Sequence, residues 1–511
     1  MAISVEALNY FNDLAVETVS EELPKFEIGS IIRVLPLNEG LVQLSSVRVN
    51  HFKVHNSSVQ LTTVNQQLVW SLQNIDLKFT SLLGGHYVFI LPVPLEGIAE
   101  TTALGANVKV TVDLLEREGK LRLLARNCSF SAGTVSVFGH GGGAISDFIN
   151  GNEQARAVRV TIPILRHLIC QVASDFVNSD LNQMAETIPW LAPLKDTHIL
   201  SVLSENSTEK QTDNRTVFDD FLRSDQLQLD FRLQKAPDID GAWVRTTHRG
   251  EVSWKGQGRT PFGSSQLSQQ DEGGGGKMFQ LVASDFLVNS LLYHAHVHDL
   301  LRIRITPETS GLGKFMRTSC SEGQKSLVFC LGDLFVDLDQ SLANKEAELL
   351  LQPIRAPAVF FKNGTVLLEL RGVVDLSVRE AESRSLKHLI TVDVDSRVKA
   401  EIALNQNKII GDVSVEKMKF RLRRSSLRNF DRSLVDDFED VARAVFEKLT
   451  RDYLAEGVAV PRVDLVRLKQ PNMQIRSREL EVSAELELDR VVLRAVVRNA
   501  IAKALSRLEA P

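Results

Sequence analysis

Hydrophobic positions follow two rhythms along the chain. Over residues 3 to 23, Leu8, Phe11, Ala15 and Val19 recur at helical spacing and Pro24 follows, which predicts an amphipathic helix. From about 28 to 138 the period drops to two. It is clearest at Val108, Val110, Val112 and Leu114 and again at Val135 and Val137, and it predicts a long β-rich stretch that ends at Gly-rich residues 139 to 144. A second helix is expected over about 163 to 187, with Pro163 near its start and Leu165, Leu168, Ile169, Val172 and Phe176 on one face. Strands return near 225 to 233 and 242 to 254.

Residues 255 to 277 are rich in Gly, Ser and Gln and end in Gly273 to Gly276, the composition of an interdomain linker. Beyond it the order repeats. Ser284 to Tyr293 reads as a short apolar helix, and alternation at Val366, Leu368 and Leu370 and at Val398, Ala400, Ile402 and Leu404 marks strands. A long helix is expected over about 431 to 454, with Leu434, Phe438, Val441, Val445 and Leu449 on one face, and strands near 462 to 488. The pattern predicts two α+β units, 1–254 and 278–488, joined by the linker and followed by a tail, 489–511. Their pairing rests on the order of elements, not on sequence identity between the halves.

Composition narrows the function. The chain has 511 residues, 43% hydrophobic and 24% charged, which is ordinary for a globular protein. A net charge of −5 argues against a nucleic-acid binder driven by bulk positive charge. No uninterrupted apolar run is long enough for a bilayer, so no transmembrane helix is expected. Phe outnumbers Tyr and Trp by 24 to 4 and 4, a skew toward apolar interiors over stacking surfaces. Cys128, Cys170, Cys320 and Cys330 form no CxxC pair, so a cysteine zinc cluster has no support, and an even count permits two disulfides. Sequons stand at Asn56, Asn127, Asn206, Asn214 and Asn363. Together these favour a secreted glycoprotein, although Met1 to Glu6 does not read as a signal peptide.

Enzyme signatures are weak. His140-Gly-Gly-Gly143 resembles a lipase oxyanion loop, but no GxSxG nucleophile elbow exists in the chain. His294, His296 and His298 would share a face on a strand, and the expectation is a solvent-facing strand start, not a metal site. No enzyme, no metal and no cofactor is expected.

Four segments carry a resemblance to a known family. They are Ser284-Asp-Phe-Leu-Val-Asn-Ser-Leu-Leu-Tyr293, the Gly457-Val-Ala-Val-Pro-Arg462 exit after the long helix, the Cys128 and Cys170 placements, and the N-terminal helix followed by strands. In these the chain resembles the tubular lipid-binding family of bactericidal/permeability-increasing and lipopolysaccharide-binding proteins and of the phospholipid and cholesteryl ester transfer proteins. The resemblance implies two elongated barrels, each a highly twisted antiparallel sheet wrapped by two helices, joined by a central sheet into a boomerang. It implies a Cys128–Cys170 disulfide, closing 43 residues and worth about 4 kcal/mol in the chain-entropy model. Cys320 and Cys330 are an extra pair that the family pattern does not require.

It further implies an apolar pocket for phospholipid acyl chains in each barrel. The residues expected there are Leu8, Phe11, Ala15, Leu168, Val172 and Phe176 in the first, and Phe286, Leu291, Leu292, Phe438, Val441 and Val445 in the second. Phospholipid is then the ligand, and a membrane or lipoprotein surface the peripheral partner. The alternative is an innate-immune lipopolysaccharide-binding protein, which would use a basic tip on the first barrel. Residues 1 to 250 hold 21 Lys/Arg against 28 Asp/Glu, which weakens that alternative. Candidate contacts for anionic headgroups are Lys419, Arg421 and Arg423, alternating on one strand face, and Arg494 and Arg498 in the tail. The tail reads as a cationic amphipathic helix, with Leu493, Val497, Ile501, Ala504 and Leu508 on one stripe, that either lies on a lipid surface or packs back on the body.

Overall fold

A computed structural model of the chain describes residues 1–34, 40–88, 92–141, 146–147, 150–151, 154–194, 224–267, 277–309, 313, 316, 318, 342, 345–379, 385–405, 408–427, 430, 435–436, 439–440, 442–443, 446–447, 451, 458–459 and 466–509. Strand β1 (Ala2–Ser4) runs into helix α1 (Val5–Glu22), whose N-cap is Ser4: its hydroxyl accepts the Ala7 amide at 3.1 Å. Pro24, in a single 3-10 turn over Leu23–Lys25, ends the helix.

The first half is then built on one antiparallel sheet of β2 (Glu27–Val34), β3 (Gly40–Thr62), β4 (Gln67–Val88), β5 (Pro92–Pro94), β6 (Gly97–Arg117), β7 (Lys120–Ser131) and β8 (Thr134–His140). Its order is β2-β3-β4-β6-β7, with β5 beside β4 and β8 beside β6. The alternation in β6 is realised directly: Val108, Val110, Val112 and Leu114 are buried while Asn107, Lys109 and Leu115 are exposed. A straight strand of 23 residues would reach about 75 Å. Bulges between Ser45 and Arg48 and between Val49 and His51 instead curl β3 along its length. The β6–β7 turn puts Glu118 and Gly119 at φ +56° and +79°, a two-residue primed turn. A Cβ on Gly119 would also lie 2.8 Å from the Arg232 side chain.

Helix α2 (Gln154–Asp175) continues through a wide turn, Phe176–Leu181, into Asn182–Glu186. It begins nine residues before the expected start, and Pro163 lies inside it. Pro163 is exposed, so the helix carbonyl it leaves unpaired is on the solvent side and the helix continues. Contrary to the expectation from uninterrupted runs, Gln154–Glu186 is by length and composition apolar enough to cross a bilayer. In this fold that apolarity faces the curled sheet.

Five short strands follow: β9 (Leu191–Pro193), β10 (Leu227–Asp230), β11 (Asp238–Ile239), β12 (Trp243–Arg245) and β13 (Glu251–Trp254). The second half opens with β14 (Phe279–Ser284) and α3 (Phe286–Val297). Its sheet contains β15 (Ile303–Ile305), β16 (Glu346–Pro353), β17 (Ala358–Lys362), β18 (Thr365–Arg379), β19 (Leu386–Asn405), β20 (Lys408–Ser425) and β21 (Val458–Ala459). The described residues of the expected 431–454 helix are helical, and Ala442 and Phe446 pack on Val398, Val413, Val415 and Met418. A closing hairpin, β22 (Val466–Arg476) and β23 (Glu479–Leu488), leads into α4 (Arg490–Glu509).

The halves share a six-stranded sheet of order β11-β12-β1-β14-β23-β22. In each half the closing hairpin pairs with that half's own leading strand, and the two leading strands pair antiparallel with each other, Ile3 opposite Phe279. The arrangement is a pseudo-twofold centred between β1 and β14. A second feature repeats with it. Asn9, five residues after Ser4, donates to the Val59 carbonyl at 3.0 Å and accepts the Val59 amide at 2.8 Å. Asn289, five residues after Ser284, makes the same two bonds to Val359, both 2.7 Å. Each side-chain amide takes the place of a neighbouring strand, satisfying a backbone donor and acceptor that would otherwise be orphaned. The duplication expected from element order is thus visible in matched chemistry.

The histidine run is helical, not the start of a strand. His294 and His296 lie on α3 and His298 caps it, so His296 points away from the other two. His294 is buried and its Nε2 stands 3.2 Å from the Thr260 hydroxyl; among the described residues no cluster of three His, Cys, Asp or Glu could hold a metal.

Candidate functional site: an apolar slot in the first half

The inward face of the curled sheet does not close on itself. α1, α2 and α4 lie along it and leave a cavity of about 950 Å³. α1 presents Asn12, Ala15, Val16 and Val19, and α2 presents Leu165, Leu168, Ile169, Val172 and Ala173, followed by Phe176. α4 presents Val497, Ala500, Ile501, Ala504 and Leu505. The floor is Val47, Val49, Trp70, Ile75, Phe79, Ala103 and Val108, with their neighbours on β3, β4 and β6. The polar groups in this wall are mostly spoken for. Trp70 donates its indole N–H to Asn12 Oδ1 at 2.7 Å, and the Thr161 hydroxyl bonds back to the Ala157 carbonyl at 2.8 Å. Among the described residues the lining is almost wholly apolar, a wall suited to hydrocarbon.

Two covalent and ionic ties hold the walls. Cys128 on β7 and Cys170 on α2 are joined, with their Cα atoms 5.6 Å apart. α4 is fastened by cations over buried carboxylates. Arg494 and Arg498 lie 3.4 Å from Glu22, and Arg507 makes a two-toothed contact with Asp180 at 2.6 and 3.0 Å. Lys25 above all, then Arg498 and Arg494, hold the Glu22 carboxyl below its usual range against the opposing effect of burial. The Asp180 hydrogen bonds raise Arg507 in turn.

Of the residues expected in the first pocket, Ala15, Leu168, Val172 and Phe176 line the slot. Leu8 and Phe11 do not. α1 is covered on two sides, and Phe11 belongs to the side packed on Leu14, Leu488, Leu493 and Val497, while Asn12 takes the slot-facing place. The tail helix is the wall that sequence reasoning missed. Its apolar stripe is plain in the sequence, but what it would cover is not. It packs back on the body, with Leu493, Val497 and Ile501 buried. In the second half, Phe286 is buried edge-to-face against Phe262, 6.0 Å between centroids. Leu291 packs with Leu227 and Val252, and Leu292 with Val359, Phe361 and Ile475. These three are core residues of the α3 interfaces among the described residues; Phe438, Val441 and Val445 lie outside the described residues.

The headgroup candidates are mostly matched to protein carboxylates. Lys419 pairs with Glu439 at 2.9 Å, Arg423 with Asp393, Arg494 with Glu21 at 2.7 Å and Arg498 with Glu22; Arg421 is exposed opposite Asp393 in register. Of the sequons, Asn56, Asn127 and Asn363 are exposed, and Asn206 and Asn214 lie outside the described residues, as do Cys320 and Cys330.

Comparison with known proteins agrees with this architecture. Human lipopolysaccharide-binding protein is 22% identical over 405 residues, covering 78% of this chain and 74% of the relative. Bactericidal permeability-increasing protein of Sebastes schlegelii is 18% identical over 480 residues, covering 92% and 91%. The crystal structure of lipopolysaccharide binding protein superposes with a TM-score of 0.50 at 16% identity, over 96% of this chain and 98% of that one, and so shares the fold. The model of the LBP / BPI / CETP family C-terminal domain matches residues 222–488, more than half of the chain. With two α+β halves on a shared sheet and a hydrocarbon-lined slot, the chain belongs to the LBP/BPI/CETP family of lipid-binding proteins.

Proposed function

We propose that this chain is a secreted, non-enzymatic carrier that extracts phospholipids or related amphiphiles from a membrane or lipoprotein surface and transfers them. The observation that carries the reading is the slot of about 950 Å³ walled by three helices and a curled sheet. Hydrocarbon placed there leaves water at about 0.8 kcal/mol per CH₂, so a sixteen-carbon chain is worth roughly 12 kcal/mol before ordering costs. A polar head left at the mouth keeps its charge solvated. Lipid is the ligand and no cofactor is called for. A second pocket in the second half, as the family resemblance implies, would give each chain two sites. Secretion accords with the disulfide and with the exposed sequons at Asn56, Asn127 and Asn363.

The relatives' names favour a second reading, lipopolysaccharide recognition. Against it stand the acidic balance of residues 1 to 250 and the pairing of Lys419, Arg423, Arg494 and Arg498 with protein carboxylates. Native mass spectrometry of protein recovered from culture medium, followed by organic extraction, tests both. One or two bound phospholipids per chain are expected, with uptake insensitive to salt. A lipid-free chain that also takes up no fluorescent phospholipid would refute carriage. Binding of lipid A that weakens steeply with ionic strength would favour the second reading.

A further inference from the structure

The segment that joins the halves has the composition of a linker, yet its first residues, 255–262, are laid down on α3. They leave β13 through a tight turn in which Lys255, Gly256, Gly258 and Arg259 all have positive φ, between +52° and +74°. Two of these carry side chains, a conformation that costs free energy and persists only where contacts hold it. The contacts here converge on one chain of groups. Gly258 donates its amide to Ser253 Oγ at 2.9 Å, and Thr260 donates its amide and its hydroxyl to Glu251 Oε1 at 3.2 and 2.6 Å. The Thr260 hydroxyl also lies 3.2 Å from His294 Nε2 on α3. Phe262 then packs edge-on against Phe286 and Tyr293, each 6.0 Å away between centroids.

His294 is 6% exposed. Burial above all holds its ring below the ordinary range; Glu251 on β13 opposes that effect, and His298, one turn along α3 at 6.4 Å between centroids, adds to it. Tyr293 packs edge-on at 5.2 Å. Of the other strands packed on α3, β14 has no ionisable side chain, Asp230 of β10 is paired with Arg232 and Arg249, and Lys362 is exposed at the end of β17. Asp299, just past the helix, is paired with Arg302.

We propose that residues 255–262 are a pH-released strap, latched on α3 at neutral pH through the Glu251–Thr260–His294 chain and released when His294 takes up a proton. An imidazolium enclosed beside a second histidine has lost hydration that opening restores. His294 takes up its proton more readily in the open form, so closure is full above about pH 6.5 and weakens as pH falls from there. Release bares the Phe286 and Tyr293 rings and leaves the shared six-stranded sheet intact, because residues 255–262 belong to none of its strands.

Hydrogen exchange of the full chain, read by mass spectrometry at pH 7.5 and 5.0 and corrected for the pH dependence of intrinsic exchange, tests this. The range spans the histidine titration and stays above the usual carboxylate values. Protection of peptides covering 255–262 should fall about tenfold from pH 7.5 to 5.0, while peptides from β1 and β14 keep theirs. Thr260→Val should strip the strap of protection at both pH values. His294→Gln, whose side-chain amide still reaches Thr260 but takes up no proton, should hold it at both. Strap protection that ignores pH in wild type would overturn the proposal. So would a fall that persists in His294→Gln, wild-type protection in Thr260→Val, or equal losses in the strap and the shared sheet. Should His294→Gln lose the shared sheet itself, wild type and Thr260→Val decide the matter.

Discussion

Two residues on α4 separate packing from ligand contact. Leu493 and Ile501 are equally buried, each 8% exposed, and both join the cluster around Leu14. Only Ile501 also lines the slot. Leu493→Ala therefore opens a void enclosed by side chains and should cost about 3 kcal/mol, roughly 6 °C in Tm for a unit of this size. That cost should be the same with and without lipid. Ile501→Ala enlarges a space that already exists, so the lipid-free protein loses less, about 1–2 kcal/mol. In the loaded protein the three missing carbons no longer touch the acyl chain, a further loss of about 2 kcal/mol. The difference in Tm between loaded and stripped protein should thus shrink by roughly 4 °C for Ile501→Ala and stay unchanged for Leu493→Ala. Calorimetry on both forms of both variants measures it. Equal shrinkage in the two variants would refute the assignment of α4 as a wall of the binding site.

Other outcomes follow from the same structure. Asn9→Ala and Asn289→Ala should each lower stability by about 2 kcal/mol, two net hydrogen bonds, in urea titrations. Unequal losses, with one near zero, would show that only one strand edge depends on its amide. Replacing Cys128 and Cys170 by Ser should cost about 4 kcal/mol from the freed loop and speed proteolysis of α2; unchanged denaturation midpoints would contradict this. Burial lowers His294 from 6.5, against the opposing pull of Glu251, and burial lowers His248 likewise. The unfolded chain then takes up these protons first. Stability is full above about pH 6.5 and falls as pH drops from there toward the depressed folded values. His294→Gln should flatten the slope of unfolding free energy between about pH 7.5 and 5, and an unaltered slope would remove His294 as its source.

What the sequence made legible was periodic. β6 alternates so regularly because one face meets hydrocarbon and the other water, and the Val108 to Leu114 register survives intact. Ser4-x4-Asn9 and Ser284-x4-Asn289 are equally plain as strings, but only the bonds to Val59 and Val359 give them meaning. Boundaries were less legible. Pro163 suggested a helix start, yet a proline whose freed carbonyl faces solvent is tolerated mid-helix. At the site, periodicity marks a buried face without saying what covers it. Leu168, Val172 and Phe176 face the slot, while Phe11, on an equally apolar stripe, faces α4. The histidine spacing was ambiguous because i, i+2 and i+4 share a face only in a strand.

The origin of the slot's third helical wall has a temporal consequence. α1, the sheet and α2 are complete by residue 186, whereas α4 begins at Arg490. At about 5–20 residues per second the ribosome needs roughly 15–60 s to bridge that distance. Throughout that interval the first half stands with its trough uncovered and its greasy floor facing outward. A newborn chain thus exposes this apolar trough until its last twenty helical residues are made, and the first half acquires its full lining only when the whole chain has been synthesised.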